Sequence, residues 1–180
     1  MKKTAFIFPG QGSQYVGMGK DFYDTYACSK EMIDLAAKVS GMDMNHLLFE
    51  ENEELNITKY TQIAMLADEL AILMAVKEKG IRSDVNAGLS LGEYAALVAS
   101  GVMTPEDAFR VVVKRGAFMQ EAVPTGGAMT AVMGLDNETI EKVCEETEGI
   151  VSIANYNCPG QTVITGEAEA VNAAAEKLKE

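Results

Sequence analysis

The residues whose types and spacing could do chemistry begin with Ala87-Gly88-Leu89-Ser90-Leu91-Gly92-Glu93. Gly88-x-Ser90-x-Gly92 is the spacing of a nucleophile elbow, a serine on a tight strand-to-helix turn with glycines where backbones pass close together. On such a turn Ser90 stands at a helix N-terminus, where the dipole and free N–H groups stabilise developing negative charge. The same five residues also fit a turn with no chemistry, so the flanking segments matter. Residues 84–87 read as a short strand and residues 91–99 as a helix, the order an elbow needs. A second glycine-rich stretch, Pro9-Gly10-Gln11-Gly12-Ser13-Gln14, follows a buried strand at residues 4–8. It is not a dinucleotide fingerprint, because Tyr15 stands where the third glycine belongs, and it lacks the Gly-Lys-Ser/Thr of a phosphate loop. Its backbone N–H groups remain available to an anion or an oxyanion.

Those segments need a frame to position them. Helical spacing runs over residues 21–40 with Gly41 as its stop, and again over residues 61–79 with Gly80 as its stop. Residues 42–56 are acidic and less regular, and they hold the one histidine, His46, so any Ser-His pair within these residues would use it. Thr104-Pro105-Glu106-Asp107 opens another helix with a threonine cap, a proline in the first turn and acids at the positive end. Along it Val111, Val112, Phe118, Met119 and Ala122 form an apolar stripe, and Arg115 falls on the same face. A buried arginine needs a carboxylate, supplied either by a side chain such as Glu93 or by a ligand. After Pro124-Thr125-Gly126-Gly127 the rhythm changes to β-α-β-β-α: strands at 129–134, 150–155 and 161–165, helices at 138–148 and 167–179, and a turn at Asn157-Cys158-Pro159-Gly160. A ferredoxin-like split βαβ unit has one strand more.

Composition narrows the function classes. A net charge of −12 argues against nucleic acid, where affinity comes largely from neutralised phosphates. Cys28, Cys144 and Cys158 follow no metal spacing, so no metal is expected and reduced thiols are. No stretch reaches membrane-spanning length and the apolar run at residues 1–9 is too short for a signal core, which predicts a cytoplasmic protein that binds no membrane.

With these pieces placed, the sequence resembles the N-terminal part of the malonyl-CoA:acyl carrier protein transacylases, the acyltransferases of bacterial fatty acid biosynthesis. The likeness rests on Phe8-Pro9-Gly10-Gln11-Gly12-Ser13-Gln14, Tyr60-Thr61-Gln62, Gly88 to Tyr94, Arg115-Gly116-Ala117-Phe118-Met119-Gln120 and Asn155-Tyr156-Asn157-Cys158-Pro159-Gly160-Gln161, in the family's order. It implies an incomplete α/β-hydrolase-like core with a parallel sheet at residues 1–123, and at 124–180 a ferredoxin-like βαββα subdomain lacking its last strand. It implies ping-pong acyl transfer with no bound cofactor: Ser90 attacks the malonyl-CoA thioester, holds malonyl as an ester and passes it to the phosphopantetheine thiol of acyl carrier protein. The N–H groups of Gln11 and Leu91 would form the oxyanion hole, and Arg115 would pair with the malonyl carboxylate. Gln62, Met119 and Asn157 would line the pocket.

Two departures qualify the likeness. Leu89 stands where the family usually has a histidine just before the nucleophile, which bears on acyl preference or pocket packing. The family's general-base histidine and the residue orienting it come after the small subdomain, beyond Glu180. Three expectations follow. The chain is part of a transacylase whose activity needs a second polypeptide or which self-associates through uncovered apolar surface; or it is a non-enzymatic module that binds malonyl-CoA or acyl carrier protein; or it is a serine esterase using His46.

Overall fold

A computed structural model describes residues 2–179. The chain divides into two compact units, Met1–Ala122 and Val123–Glu180.

The first unit is an α/β fold around a parallel strand pair, β1 (Ala5–Phe8) and β2 (Val85–Gly88), in register from Ala5↔Val85 to Phe8↔Gly88. Parallel strands need a crossover. Here it is helical: α1 (Lys20–Thr25), α2 (Ala27–Ser40), α3 (Met44–Phe49) and α4 (Thr58–Glu78) separate the two strands. After β2 come α5 (Gly92–Ala99) and α6 (Pro105–Ala122).

Helix α4 is the centre of this unit. Ile63, Ala64, Leu66, Ala67 and Leu70 are fully buried, and α2 and α6 pack on it. A helix apolar nearly all round belongs in a core rather than on its surface. Gly116 lets α6 come close, since a Cβ there would lie 3.1 Å from the Lys59 Cα. In β1, Phe8 points into this core while Ile7, on the opposite side of the pleat, is 79% exposed. Its register neighbourhood continues the apolar face, with Val85 also exposed.

Three expectations for this unit change. The helix expected at 21–40 is two helices, because Tyr26 is extended (φ −118°, ψ 123°) and its N–H closes α1 on the Phe22 carbonyl while its own carbonyl accepts from Ser29 and Lys30 at the start of α2. The irregular stretch at 42–56 contains α3, capped by Asp43, whose side chain accepts from the His46 N–H at 3.0 Å. The signal was present in Met44, Leu47 and Leu48, spaced on one helical face and all buried. Finally, α4 starts at Thr58, earlier than residue 61. The predicted cap of α6 is present: the Asp107 N–H donates to Thr104 Oγ1 at 3.1 Å.

The second unit runs β3 (Gly127–Met133), α7 (Asn137–Glu145), β4 (Val151–Cys158), β5 (Gln161–Glu167) and α8 (Ala168–Lys177). The sheet order is β3-β5-β4 with both pairings antiparallel. Its core is Val132, Ile140, Ile164, Val171 and Ala174. The turn expected at 157–160 is shorter. Asn157 and Cys158 belong to β4, Cys158 pairs with Gln161, and Pro159 with Gly160 (φ 80°) make the reversal.

Among the described residues no helix is long and apolar enough to cross a membrane, and no group of His, Cys, Asp and Glu is arranged to hold a metal.

One buried group is poorly served by this fold. Glu69 on α4 is 7% exposed and neither carboxylate oxygen has a hydrogen-bond partner among the described residues. Burial, then the neighbouring Asp68, pushes its pKa from 4.5 up to about 8. A carboxyl raised in the folded state holds its proton more tightly there than in the unfolded chain. Stability is therefore highest below pH 4.5 as far as this group is concerned, and falls as pH rises through 4.5 to about 8. Glu69→Gln is expected to flatten that part of the profile and to stabilise the protein by roughly 1–3 kcal/mol above pH 8, measured by urea unfolding across pH; an unchanged slope would contradict this reading.

Candidate active site

Three backbone contacts build the turn that carries Ser90. The Leu89 N–H donates to the Phe8 carbonyl at 3.1 Å, joining the end of β1 to the turn after β2. A Cβ on Gly88 would sit 2.1 Å from the Gly92 carbonyl carbon, and one on Gly92 would sit 2.3 Å from the Phe8 oxygen. Backbone atoms on both sides cannot retreat, so both positions need glycine. The outcome is Ser90 at φ 51°, which among the described residues is the one non-glycine with positive φ. Strained backbone of this kind persists only where the surroundings over-determine it. Ser90 is exposed and stands just before α5, while Leu91 beneath it is fully buried.

The turn's own hydrogen bonds run from the Leu89 N–H to Phe8 and from the Gly92 N–H to Leu89. They bypass Leu91. On the facing loop the Gly12 N–H is taken by the Gln14 side chain at 2.8 Å and the Ser13 hydroxyl by the Gly10 carbonyl at 2.9 Å, with Gln11 between them. Gly10 lies against the elbow: a Cβ there would come 2.8 Å from the Leu89 oxygen. The loop at residue 11 and the serine at residue 90 are thus neighbours because β1 and β2 are.

A chain of polar side chains ends on the serine. One Arg115 amino nitrogen donates to Ser90 Oγ at 2.9 Å, and the other donates to Gln62 Oε1. Gln62, 1% exposed, donates from Nε2 to Gln11 Oε1 at 2.7 Å, and Gln11 Nε2 donates to Thr58 Oγ1 at 3.2 Å. The Arg115 guanidinium also lies 5.8 Å from the Tyr94 ring centroid. No carboxylate pairs with Arg115 among the described residues. Glu93, weighed from sequence as its partner, is exposed on α5, and the guanidinium turns to neutral oxygens instead.

The structure therefore brings Ser90, Leu91, Gln11, Gln62 and Arg115 together. Met119 is half-exposed on α6, one helical turn beyond Arg115. Asn157 belongs to the second unit, where its amide donates to Gln161 Oε1 at 3.1 Å. Sequence reading missed Thr58 and Tyr94. Thr58 was legible: it lies one turn before Gln62 on α4, so the two share a face once the helix is started early enough.

His46 is not at the site. Its Nδ1 lies 2.9 Å from a Glu50 oxygen and its Nε2 lies 3.6 Å from a Glu54 oxygen. The hydrogen bond to Glu50 pushes the imidazole pKa up, toward the cation and away from a base. Nothing here joins it to Ser90, which removes the geometric ground for an esterase built on this pair.

Residues 5–180 match the model of a family described as the acyl transferase domain. The malonyl CoA-acyl carrier protein transacylase of Bacillus subtilis is 47% identical over 185 residues, a match covering 100% of this chain and 58% of that protein. Among solved structures, MCAT from Streptococcus pneumoniae is 52% identical with a TM-score of 0.88, over 98% of this chain and 59% of the other. A malonyl-transacylase in complex with a type II PKS acyl-carrier protein is 45% identical with a TM-score of 0.90, over 99% and 59%. The chain spans about three fifths of the length of these relatives. Elbow, facing loop and arginine thus sit within a match that runs through nearly the whole sequence, and the chain belongs to the acyl transferase domain family.

Proposed function

We propose that this chain carries the nucleophile of a malonyl-CoA:acyl carrier protein transacylase, moving malonyl from CoA to the phosphopantetheine thiol of acyl carrier protein in the cytoplasm, for fatty acid biosynthesis. The observation that carries the reading is the juxtaposition of a strained serine with an arginine that lacks a carboxylate. Ser90 Oγ attacks the thioester carbonyl, the C–S bond breaks and CoA leaves as its thiol, with the serine proton passing to it through a base. The pantetheine thiol then reverses the step on the malonyl ester. The N–H groups of Gln11 and Leu91 would hold the oxyanion. Arg115, which donates to two neutral oxygens in the free protein, would turn one or both forks to the malonyl carboxylate. Gln62 and Thr58 hold the arginine side of the site in place, and Met119 and Asn157 are assigned to the pocket wall on the resemblance alone. The base is assigned on the same ground to a histidine outside residues 1–180.

In this reading residues 1–123 belong to the large α/β-hydrolase-like domain and residues 124–180 to a ferredoxin-like subdomain. The antiparallel order β3-β5-β4, with a helix after β3 and after β5, supports the second assignment, the remaining strand of such a unit lying beside β3. A binding module without turnover is the second reading. It is favoured by Ser90 having a cationic donor rather than a base as its side-chain partner.

Intact-mass spectrometry after incubation with malonyl-CoA separates the two. In the presence of the polypeptide that supplies the base, the proposal expects a malonyl adduct on the protein and none on Ser90→Ala; no adduct in either, with malonyl-CoA bound, would leave the module. Arg115→Ala is expected to reduce the preference for malonyl over acetyl donors by about 30-fold or more, the equivalent of about 2 kcal/mol for a charge-assisted pair. Adduct rates with the two donors measure it, and an unchanged ratio would contradict the carboxylate role.

A further inference from the structure

The acyl-transfer reading leaves unused an open polar cavity at the start of β2, at the other end of that strand from Ser90. It spans about 520 Å³ between the end of α4, the loop into β2 and the end of α5. Two cations line it, Lys77 and Arg82, and among the described residues neither has a carboxylate partner. In a chain with 27 acidic and 15 basic residues a cation readily finds a carboxylate, so two neighbouring ones without any mark a local positive field. Backbone carbonyls hold them instead. Lys77 Nζ donates to the Ala99 carbonyl at 3.2 Å, and one Arg82 amino nitrogen donates to the carbonyls of Lys77 and Ile81. Carbonyls at helix ends offset part of each charge and leave the other N–H groups of both side chains without an acceptor among the described residues. Burial, then the Arg82 charge, pushes the Lys77 pKa down, so the two cations feel each other. Asp84 also reaches the cavity, but its carboxylate accepts from the Thr4 N–H at 2.8 Å. The rest of the wall is neutral and polar: Ser83 donates to Asn86 at 2.7 Å and Asn86 donates to Ser100 at 2.9 Å, which leaves the second amide N–H of Asn86 as a further donor. A monocarboxylate neutralises one of two like charges. A phosphate dianion neutralises both and offers three oxygens to a guanidinium fork and an ammonium.

We propose that this cavity binds the phosphate dianion of a small phosphorylated molecule, with Arg82 and Lys77 as its cationic partners and Asn86 as a neutral donor. Free phosphate and a phosphate monoester share this chemistry, and the probes below distinguish them. The site lies away from Ser90 and uses none of the acyl-transfer residues, so the two stand or fall separately.

The test uses the 180-residue protein at about pH 7.5, where the second phosphate proton is largely lost. The backbone amide resonances of Ser83, Asn86 and Ser100 are the readout. Inorganic phosphate and methyl phosphate are the probes, with potassium acetate and potassium chloride beside them at matched ionic strength. We expect saturable displacement of those amides by the phosphates, weakened roughly tenfold or more in Arg82→Gln. Lys79→Gln, which removes an exposed charge outside the cavity, is expected to stay within about twofold of the wild-type affinity. Arg82 is exposed, so its variant remains folded. Tighter binding of methyl phosphate would support the site with an ester as its ligand, and tighter binding of inorganic phosphate would support it with the free ion. No saturable displacement, equal affinity in Arg82→Gln, an equal loss in Lys79→Gln, or the same response to acetate or chloride would each overturn the proposal.

Discussion

The structure of the first unit depends on a close approach of backbones between the end of β1 and the start of α5. Phe8, Gly88 and Gly92 meet with no room for a Cβ at either glycine, and the meeting leaves Ser90 no ordinary backbone conformation. Everything else arranges that approach. The parallel pairing of β1 with β2 aligns the two strand ends. The buried α4 fixes the distance between the loop at Gln11 and the arginine on α6, because it packs under both and supplies Thr58 and Gln62 between them.

The polar chain from Thr58 to Ser90 is best understood through what it lacks. A guanidinium without a counter-ion is costly in a partly buried site. Here it is held by a glutamine that is itself fully buried, accepting from Arg115 and donating to Gln11. Such an arrangement keeps the charge aimed while leaving it unneutralised, which is the state a carboxylate-bearing substrate would find most favourable. Arg115 and Glu69 thus both lack a counter-ion: the half-buried Arg115 is hydrogen-bonded to neutral oxygens, and the buried Glu69 has no hydrogen-bond partner among the described residues. Arg115 faces a solvent-exposed serine, whereas Glu69 lines a largely apolar cleft beside β1.

Much of this was legible in the sequence. The elbow, the facing loop, the α6 cap and the β-α-β-β-α order follow from spacing and glycine placement, which act locally. The break at Tyr26 was not, since residues on both sides keep helical spacing and only the extended backbone of Tyr26 separates them. Helix α3 was hidden by surrounding acids, although Asp43 and the buried Met44, Leu47 and Leu48 are a cap and a face. The buried face expected for Arg115 is corrected by packing: α6 buries Ala108, Phe109, Val112 and Gly116, while Val111, Phe118, Met119 and Ala122 are exposed and Arg115 lies half-buried at the margin, with partners from segments far away in sequence. The same holds for Glu69, which spacing alone assigns to a good helix and only packing leaves stranded.

The central claim is that the backbone contact at Gly92 holds Ser90 in its reactive position. Its most direct test is the rate of malonyl incorporation at Ser90 in Gly92→Ala, taken on protein whose cooperative unfolding verifies the folded state. A Cβ there would press on the Phe8 and Pro9 carbonyl oxygens at 2.3 and 2.5 Å, so the turn must open. The account predicts a rate reduced about a hundredfold or more, as displacement of about 1 Å from a reactive geometry produces. Incorporation at the wild-type rate would contradict it.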